Sequence, residues 1–139
     1  MDEVTLTLPM LPDMELTAAR TACAMGEHIR MSPDKIDELS QAVVEAFINA
    51  FEHSKAPDKQ VLIAFKVLGN NTEPEGLQVT VTDAGVGFSP EELKVPTIEE
   101  KLKSPRKRGW GLKIIHGLMD HVDIQSTSEG TTVVMKKMR

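Results

Sequence analysis

Between Ser32 and His53 apolar residues cover most of the circumference of a helix, yet one line along it is polar. Ser32 followed by Pro33 reads as an N-cap with proline at the first helical position. Ile36, Leu39, Val43, Ala46 and Ala50 then recur as a buried stripe, and Val44, Phe47, Ile48 and Phe51 widen it. Glu45, Asn49 and His53 fall at i, i+4 and i+8, so they share the one polar face. A helix of this kind packs on most sides and presents its polar line to water or to a ligand. Taken alone, the line reads as a narrow solvent-facing edge.

The flanking sequence predicts what this helix packs on. Val4, Leu6 and Leu8 alternate with threonines and stop at Pro9, a short first strand. From about Asp13 to Arg30, Leu16, Ala19, Cys23 and Gly26 recur at helical spacing and predict a first helix with these residues inward. Val61, Ile63, Phe65 and Val67 alternate, as do Leu77, Val79 and Val81, and the turn residues between them predict an antiparallel hairpin. Ser89-Pro90-Glu91-Glu92 has the form of a capping box on a short helix, and Pro96 and Pro105 break any long period after it. Gly111 to about Asp120 reads as a last helix through Leu112, Ile115 and Met119. Val122 to Gln125 and Thr131 to Lys137 read as a closing strand pair around Glu129-Gly130. At 139 residues one domain is expected. The order predicts an α+β fold, a two-layer α/β sandwich with a mostly antiparallel sheet and its helices on one face.

Composition narrows the function classes. With 40% hydrophobic and 27% charged residues the chain is globular and ordered. The N-terminus lacks the basic start and apolar run of a signal peptide, and no apolar stretch is long enough to span a bilayer, so no membrane role is expected. The single cysteine, Cys23, excludes an internal disulfide framework and points to the cytoplasm. A net charge of −5 argues against direct nucleic-acid binding. Lys101, Lys103, Arg106, Lys107 and Arg108 nonetheless form one positive segment, suited to a compact anion or simply to solubility.

Three glycine-containing strings add possible chemistry. Asp83-Ala84-Gly85-Val86-Gly87 follows a strand, where a carboxylate can accept from an exocyclic amine and glycine lets the backbone approach closely; it is also a common turn. Gly109-Trp110-Gly111 opens a helix, whose free N–H groups and positive dipole end hold phosphate readily, though flexible loop closure explains it too. Gly130-Thr131-Thr132 begins the last strand and reads equally as a hairpin turn. No Gly-x-x-x-x-Gly-Lys phosphate loop is present.

In this order the four elements, Glu-x-x-x-Asn, Asp-x-Gly-x-Gly, Gly-x-Gly and Gly-Thr, resemble the GHKL ATP-binding superfamily of gyrase, heat-shock chaperones, histidine kinases and mismatch-repair ATPases, whose fold is the Bergerat sandwich. Glu45-Ala46-Phe47-Ile48-Asn49-Ala50-Phe51-Glu52-His53, with Gly109-Trp110-Gly111-Leu112 through Leu118-Met119-Asp120-His121-Val122, is most similar to the bacterial anti-sigma factor serine kinases. The resemblance spans nearly the whole chain. It implies ATP and Mg²⁺ as cofactors, with Asp83 taking the adenine amine and Thr131 joining through water. It further implies that Gly85 and Gly87 leave room for base and ribose and that Asn49 holds Mg²⁺ through its amide oxygen. Gly109 and Gly111 would bind phosphates through backbone N–H groups, in a box completed by Trp110 and Leu112. Arg106, Lys107 or Arg108 would meet the γ-phosphate. Glu45 would be the base toward a serine hydroxyl, and His53 would touch the lid or phosphates or pack at the helix end.

The partners implied are a sigma factor and a STAS-type anti-sigma antagonist protein, with a possible homodimer. A nucleotide-gated module without phosphotransfer, and a detached catalytic domain of a two-component histidine kinase, are the alternatives.

Overall fold

The computed structural model describes residues 3–53, 60–70, 72–83, 108–127 and 130–139, with the backbone alone for 51–53, 108–112, 126–127 and 130. Its elements run β1 (Glu3–Pro9), α1 (Met14–His28), α2 (Pro33–His53), β2 (Gln60–Gly69), β3 (Pro74–Asp83), α3 (Arg108–Leu118), β4 (His121–Thr127) and β5 (Gly130–Met138). The five strands form one sheet in the order β1-β2-β3-β5-β4, and every neighbouring pair is antiparallel.

Alternation decides which face of each strand is covered. Val61, Ile63, Phe65 and Val67 of β2, Leu77, Val79 and Val81 of β3, and Val133 and Met135 of β5 are all buried. Between them Leu62, Lys66, Gln78, Thr80 and Thr82 are exposed or half-buried. Only one face is therefore apolar enough to bind helices. The β2–β3 hairpin is closed by residues suited to it. Gly69 has φ +83°, and a Cβ there would lie 2.8 Å from the Glu73 carbonyl oxygen. Asn70 Oδ1 accepts from the N–H groups of Thr72 and Glu73 at 2.9 and 2.7 Å.

α2 forms as its sequence directs. Ser32 caps it, its Oγ accepting from Lys35 N at 3.4 Å. Ile36, Leu39, Ala42, Val43, Ala46, Phe47 and Ala50 are buried along it. α2 contacts β2, β3 and β5, with α1 and α3 on its flanks, and α1 also reaches β1 and β2. Phe47, Leu39 and Phe65 are among the largest fully buried side chains, and burial of each contributes about 1.5–3 kcal/mol. The result is the two-layer α+β sandwich expected from the sequence, with a wholly antiparallel sheet.

Three boundaries or faces differ from expectation. In α1 the buried positions are Ala18, Ala22 and Gly26, whereas Leu16 is 52% exposed. Small residues win this face because α1 lies close on α2: a Cβ on Gly26 would meet Ile36 Cγ1 at 2.8 Å. α3 begins at Arg108 and ends at Leu118, so the glycine pair lies inside its first turn and Asp120 beyond its end. The closing strands extend to His121–Thr127 and Gly130–Met138. The segment of Ser89, Pro96 and Pro105 lies outside the described residues.

Candidate functional site

The buried polar residues are few, and their identity is informative. Among the described residues they are Glu45, Asn49, Asp83, Thr131 and Lys137. The first four are residues that the sequence reading singled out for ligand contact. A buried polar group costs stability unless something satisfies it, so cores retain such groups for a reason.

Asp83 is the last residue of β3 and Thr131 the second of β5, and the register sets them directly opposite each other. Directly opposed residues of an antiparallel pair have Cα atoms about 4.5–5.5 Å apart, so a carboxylate and a hydroxyl emerge side by side. Both follow the inward phase of their strands, 6% and 3% exposed. A carboxylate offers acceptors only, and a hydroxyl offers both functions, which together suit a planar amine-bearing ring.

Glu45 and Asn49 stand one turn apart on α2, 5% and 4% exposed. The solvent-facing edge that their spacing allowed is therefore excluded. Gln41, one turn earlier, donates from Nε2 to Glu45 Oε1 at 3.3 Å. The sequence reading missed this residue, although its place at i−4 from Glu45 was a readable signal.

The direction of α2 fixes which end of the sheet these residues reach. Lys35 Nζ donates to the Arg139 carbonyl at 2.9 Å, and Lys137 Nζ pairs with Glu38 at 2.5 Å, so the start of α2 sits over the end of β5. Glu38 to Asn49 is a rise of about 16 Å along a helix. Lys137 back to Thr131 is about 20 Å along a strand. α2, lying over β3 and β5, thus carries Glu45 and Asn49 toward the Asp83–Thr131 end.

α3 is oriented by the same reasoning. Its last residue, Leu118, accepts at its carbonyl from Lys137 Nζ, again at the start of α2. The helix packs on α2, and Arg108 to Leu118 spans about 15 Å, so its first turn points toward the Asn49 end. Gly109 and Gly111 lie in that turn, whose leading backbone N–H groups lack helical partners and whose dipole end is positive.

Of the other expected residues, His53, Arg108, Trp110 and Leu112 are described by backbone only, His53 ending α2 and the rest lying in α3. Gly85, Gly87, Arg106 and Lys107 lie outside the described residues. Asn49 offers a hard amide oxygen, and its place beside an acidic residue matches the donor chemistry Mg²⁺ prefers, for which one or two protein ligands suffice.

Known proteins are similar to this chain over most of its length. The serine-protein kinase RsbW of Bacillus subtilis (strain 168) is 32% identical over 146 residues, spanning 98% of this chain and 85% of that protein. The anti-sigma F factor of Heyndrickxia coagulans is 32% identical over 100 residues, 71% of this chain and 63% of that one. Among solved structures, the RsbU and RsbW domains of a Mycobacterium tuberculosis protein match with a TM-score of 0.70 at 18% identity, over 99% of this chain and 33% of that chain, a likeness of fold. The description of a histidine kinase-like ATPase domain fits residues 8–137. With the match running from β1 to β5 across all five buried polar positions, the chain belongs to the histidine kinase-like ATPase domain family.

Proposed function

We propose that this chain is an ATP-dependent serine/threonine protein kinase that phosphorylates a STAS-type anti-sigma antagonist and also binds a sigma factor. The observation that carries the reading is the burial of Glu45 and Asn49, one turn apart, on the helix that leads to the Asp83–Thr131 pair. The names of the serine-protein kinase and anti-sigma relatives support it at 32% identity.

In this reading Asp83 accepts the adenine amine and Thr131 fixes the water beside it. Gly85 and Gly87 leave space for base and ribose. The first turn of α3, through the N–H groups of Gly109 and Gly111, holds phosphate oxygens, with Trp110 and Leu112 shaping that turn. Lys107, Arg108 or Arg106 offsets charge on the γ-phosphate, and His53 closes the phosphate side. Mg²⁺, held through the Asn49 amide oxygen, would spread the negative charge of the phosphates. Glu45 takes the proton of a serine hydroxyl while that oxygen bonds to the γ-phosphorus and the bond to the β,γ-bridging oxygen breaks, giving phosphoserine and ADP. Gln41 keeps the Glu45 carboxylate turned to one side of the helix. Phosphoryl transfer needs little more than positioning and charge stabilisation, which such a constellation supplies.

Among the described residues no helix is long and apolar enough to cross a membrane. A single cytoplasmic domain, acting as a homodimer, completes the proposal. It is tested by incubating the chain with γ-labelled ATP and its antagonist protein. Phosphoserine should form with the wild type and not with Glu45→Ala. Absence of transfer to an authentic antagonist refutes the kinase reading, and nucleotide-dependent partner capture that persists without transfer and tolerates Glu45→Ala would favour a binding module.

A further inference from the structure

The fifth buried polar residue, Lys137, is not used by the chemistry above. In β5 the inward phase runs Thr131, Val133, Met135, Lys137, so a lysine occupies a position where alternation calls for an apolar side chain. It is 5% exposed and stands directly opposite Leu77, itself fully buried. Lysine is almost never buried to this extent unless its ammonium is paired. Here the ammonium donates to the Glu38 carboxylate on α2 and to the Leu118 carbonyl at the end of α3.

This bond belongs to a larger fastening. Asp120 N donates to the Lys136 carbonyl at 2.9 Å, and Asp120 Oδ2 accepts from Met138 N at 2.7 Å. Three consecutive residues of β5 thus hold the C-terminal end of α3 and the link that follows it. Elsewhere α3 rests mainly on α2, with a lesser contact to β4. Among the described residues, its hydrogen bonds to the sheet are therefore gathered at its C-terminal end, while Ile115 in its middle is buried in the core. A cation is also the charge that a helix C-terminus favours.

A rigid helix hydrogen-bonded to its sheet at one end acts as a lever. Arg108 stands about 15 Å from Leu118 along α3, so a swing of about 10° at Leu118 would move its first turn by about 2–3 Å. Hydrogen bonds to phosphate oxygens work over a window of about 2.7–3.2 Å and would not survive that displacement. We infer that Lys137 is a positioning residue for phosphate binding: by joining the end of α3 to β5 and to Glu38, it sets where the glycine-bearing first turn stands. The inference rests on reading that turn as the phosphate site. The base end of the nucleotide, held from β3 and β5, lies outside its influence.

The test compares Lys137→Met, which keeps the length and volume of the buried stem, with wild type and Lys137→Arg. Hydrogen exchange in nucleotide-free protein reads α3 directly. Lys137→Met should speed exchange of the α3 amides at least tenfold while those of β2 and β3 hold. Mg²⁺–ATP affinity should fall about tenfold and adenosine affinity should stay within twofold. Lys137→Arg, retaining a cation and donors, should recover most of both effects. Unchanged α3 exchange, or ATP and adenosine affinities falling together, overturns the inference, since a lysine that merely supports the core would produce the second pattern. If Lys137→Met does not fold, Glu38→Ala on a half-exposed side chain decides: a smaller loss confined to α3 exchange and ATP supports the role, and no change refutes it. A wild type indifferent to ATP would sink the nucleotide reading, and the exchange result would still judge the lysine.

Discussion

Replacing Asp83 by Asn leaves the shape of the side chain and the strand intact while removing a charge and exchanging one acceptor for a donor pair. Asp83 is buried at the end of β3, opposite Thr131, so bulk water can do little to compensate there. A hydrogen bond to a charged group contributes about 1.5–3 kcal/mol and a neutral one about 0.5–1.5 kcal/mol, so loss of the charge alone removes about 1 kcal/mol or more. If the new amide N–H₂ faces the adenine amine, two donors meet and one is left without an acceptor, at a further cost of about 1–3 kcal/mol. Together these predict a loss of about 2–4 kcal/mol, or about 30- to 800-fold in dissociation constant. Isothermal titration with Mg²⁺–ATP reads the change, and a thermal scan of the free protein separates it from unfolding. An Asp83→Asn protein that remains folded and binds ATP within twofold of wild type would refute the assignment of this carboxylate to the base.

Two further substitutions probe different links. Asn49→Ala should remove the part of ATP affinity that depends on Mg²⁺, so titrations with and without the metal, separated in the wild type, should converge; a metal effect of undiminished size would exclude Asn49 as the ligand. Gly26→Val should lower stability by about 2 kcal/mol through overpacking against Ile36, or about 5–8 °C in Tm, with ATP affinity unchanged, because α1 and α2 cannot separate without opening the core. An unaltered thermal midpoint would show that this contact relaxes freely.

Much of the frame was readable because burial and periodicity agree. α2 begins at Pro33 as Ser32-Pro33 requires, and the alternation of β2 and β3 gives both strands and their pairing. The face of α1 was misread because hydropathy ranks Leu16 above Ala18, whereas close packing on α2 rewards small volume over apolar area. The start of α3 was placed late because glycine costs about 1 kcal/mol in a helix, and contact with α2 outweighs that preference. The strand order, with β5 between β3 and β4, follows from long-range pairing that no local pattern encodes. At the site, Glu45, Asn49, Asp83 and Thr131 were legible as residue types in a spacing, and only the fold shows them all buried. Gln41 and Lys137 escaped notice because a glutamine on a helix edge and a lysine near a strand end are ordinary in sequence and become unusual only through their partners.

The distribution of buried polarity along α2, β5 and α3 bears on why Lys137 is a lysine. A core gains nothing in stability from a buried ammonium: replacing such a pair by apolar groups is often neutral, or stabilising by about 1–4 kcal/mol. Glu38 is 44% exposed and would be rehydrated once its partner left, so an apolar residue at position 137 should be tolerated thermodynamically. What it could not supply is direction. Methionine fits under a helix end in many orientations, whereas an ammonium with a carbonyl on one side and a carboxylate on the other admits few. On the proposed reading, the polar groups at one end of this triangle of elements serve a ligand, and the polar group at the other end serves the geometry that holds the first in register. Stability alone would have chosen apolar residues at both ends.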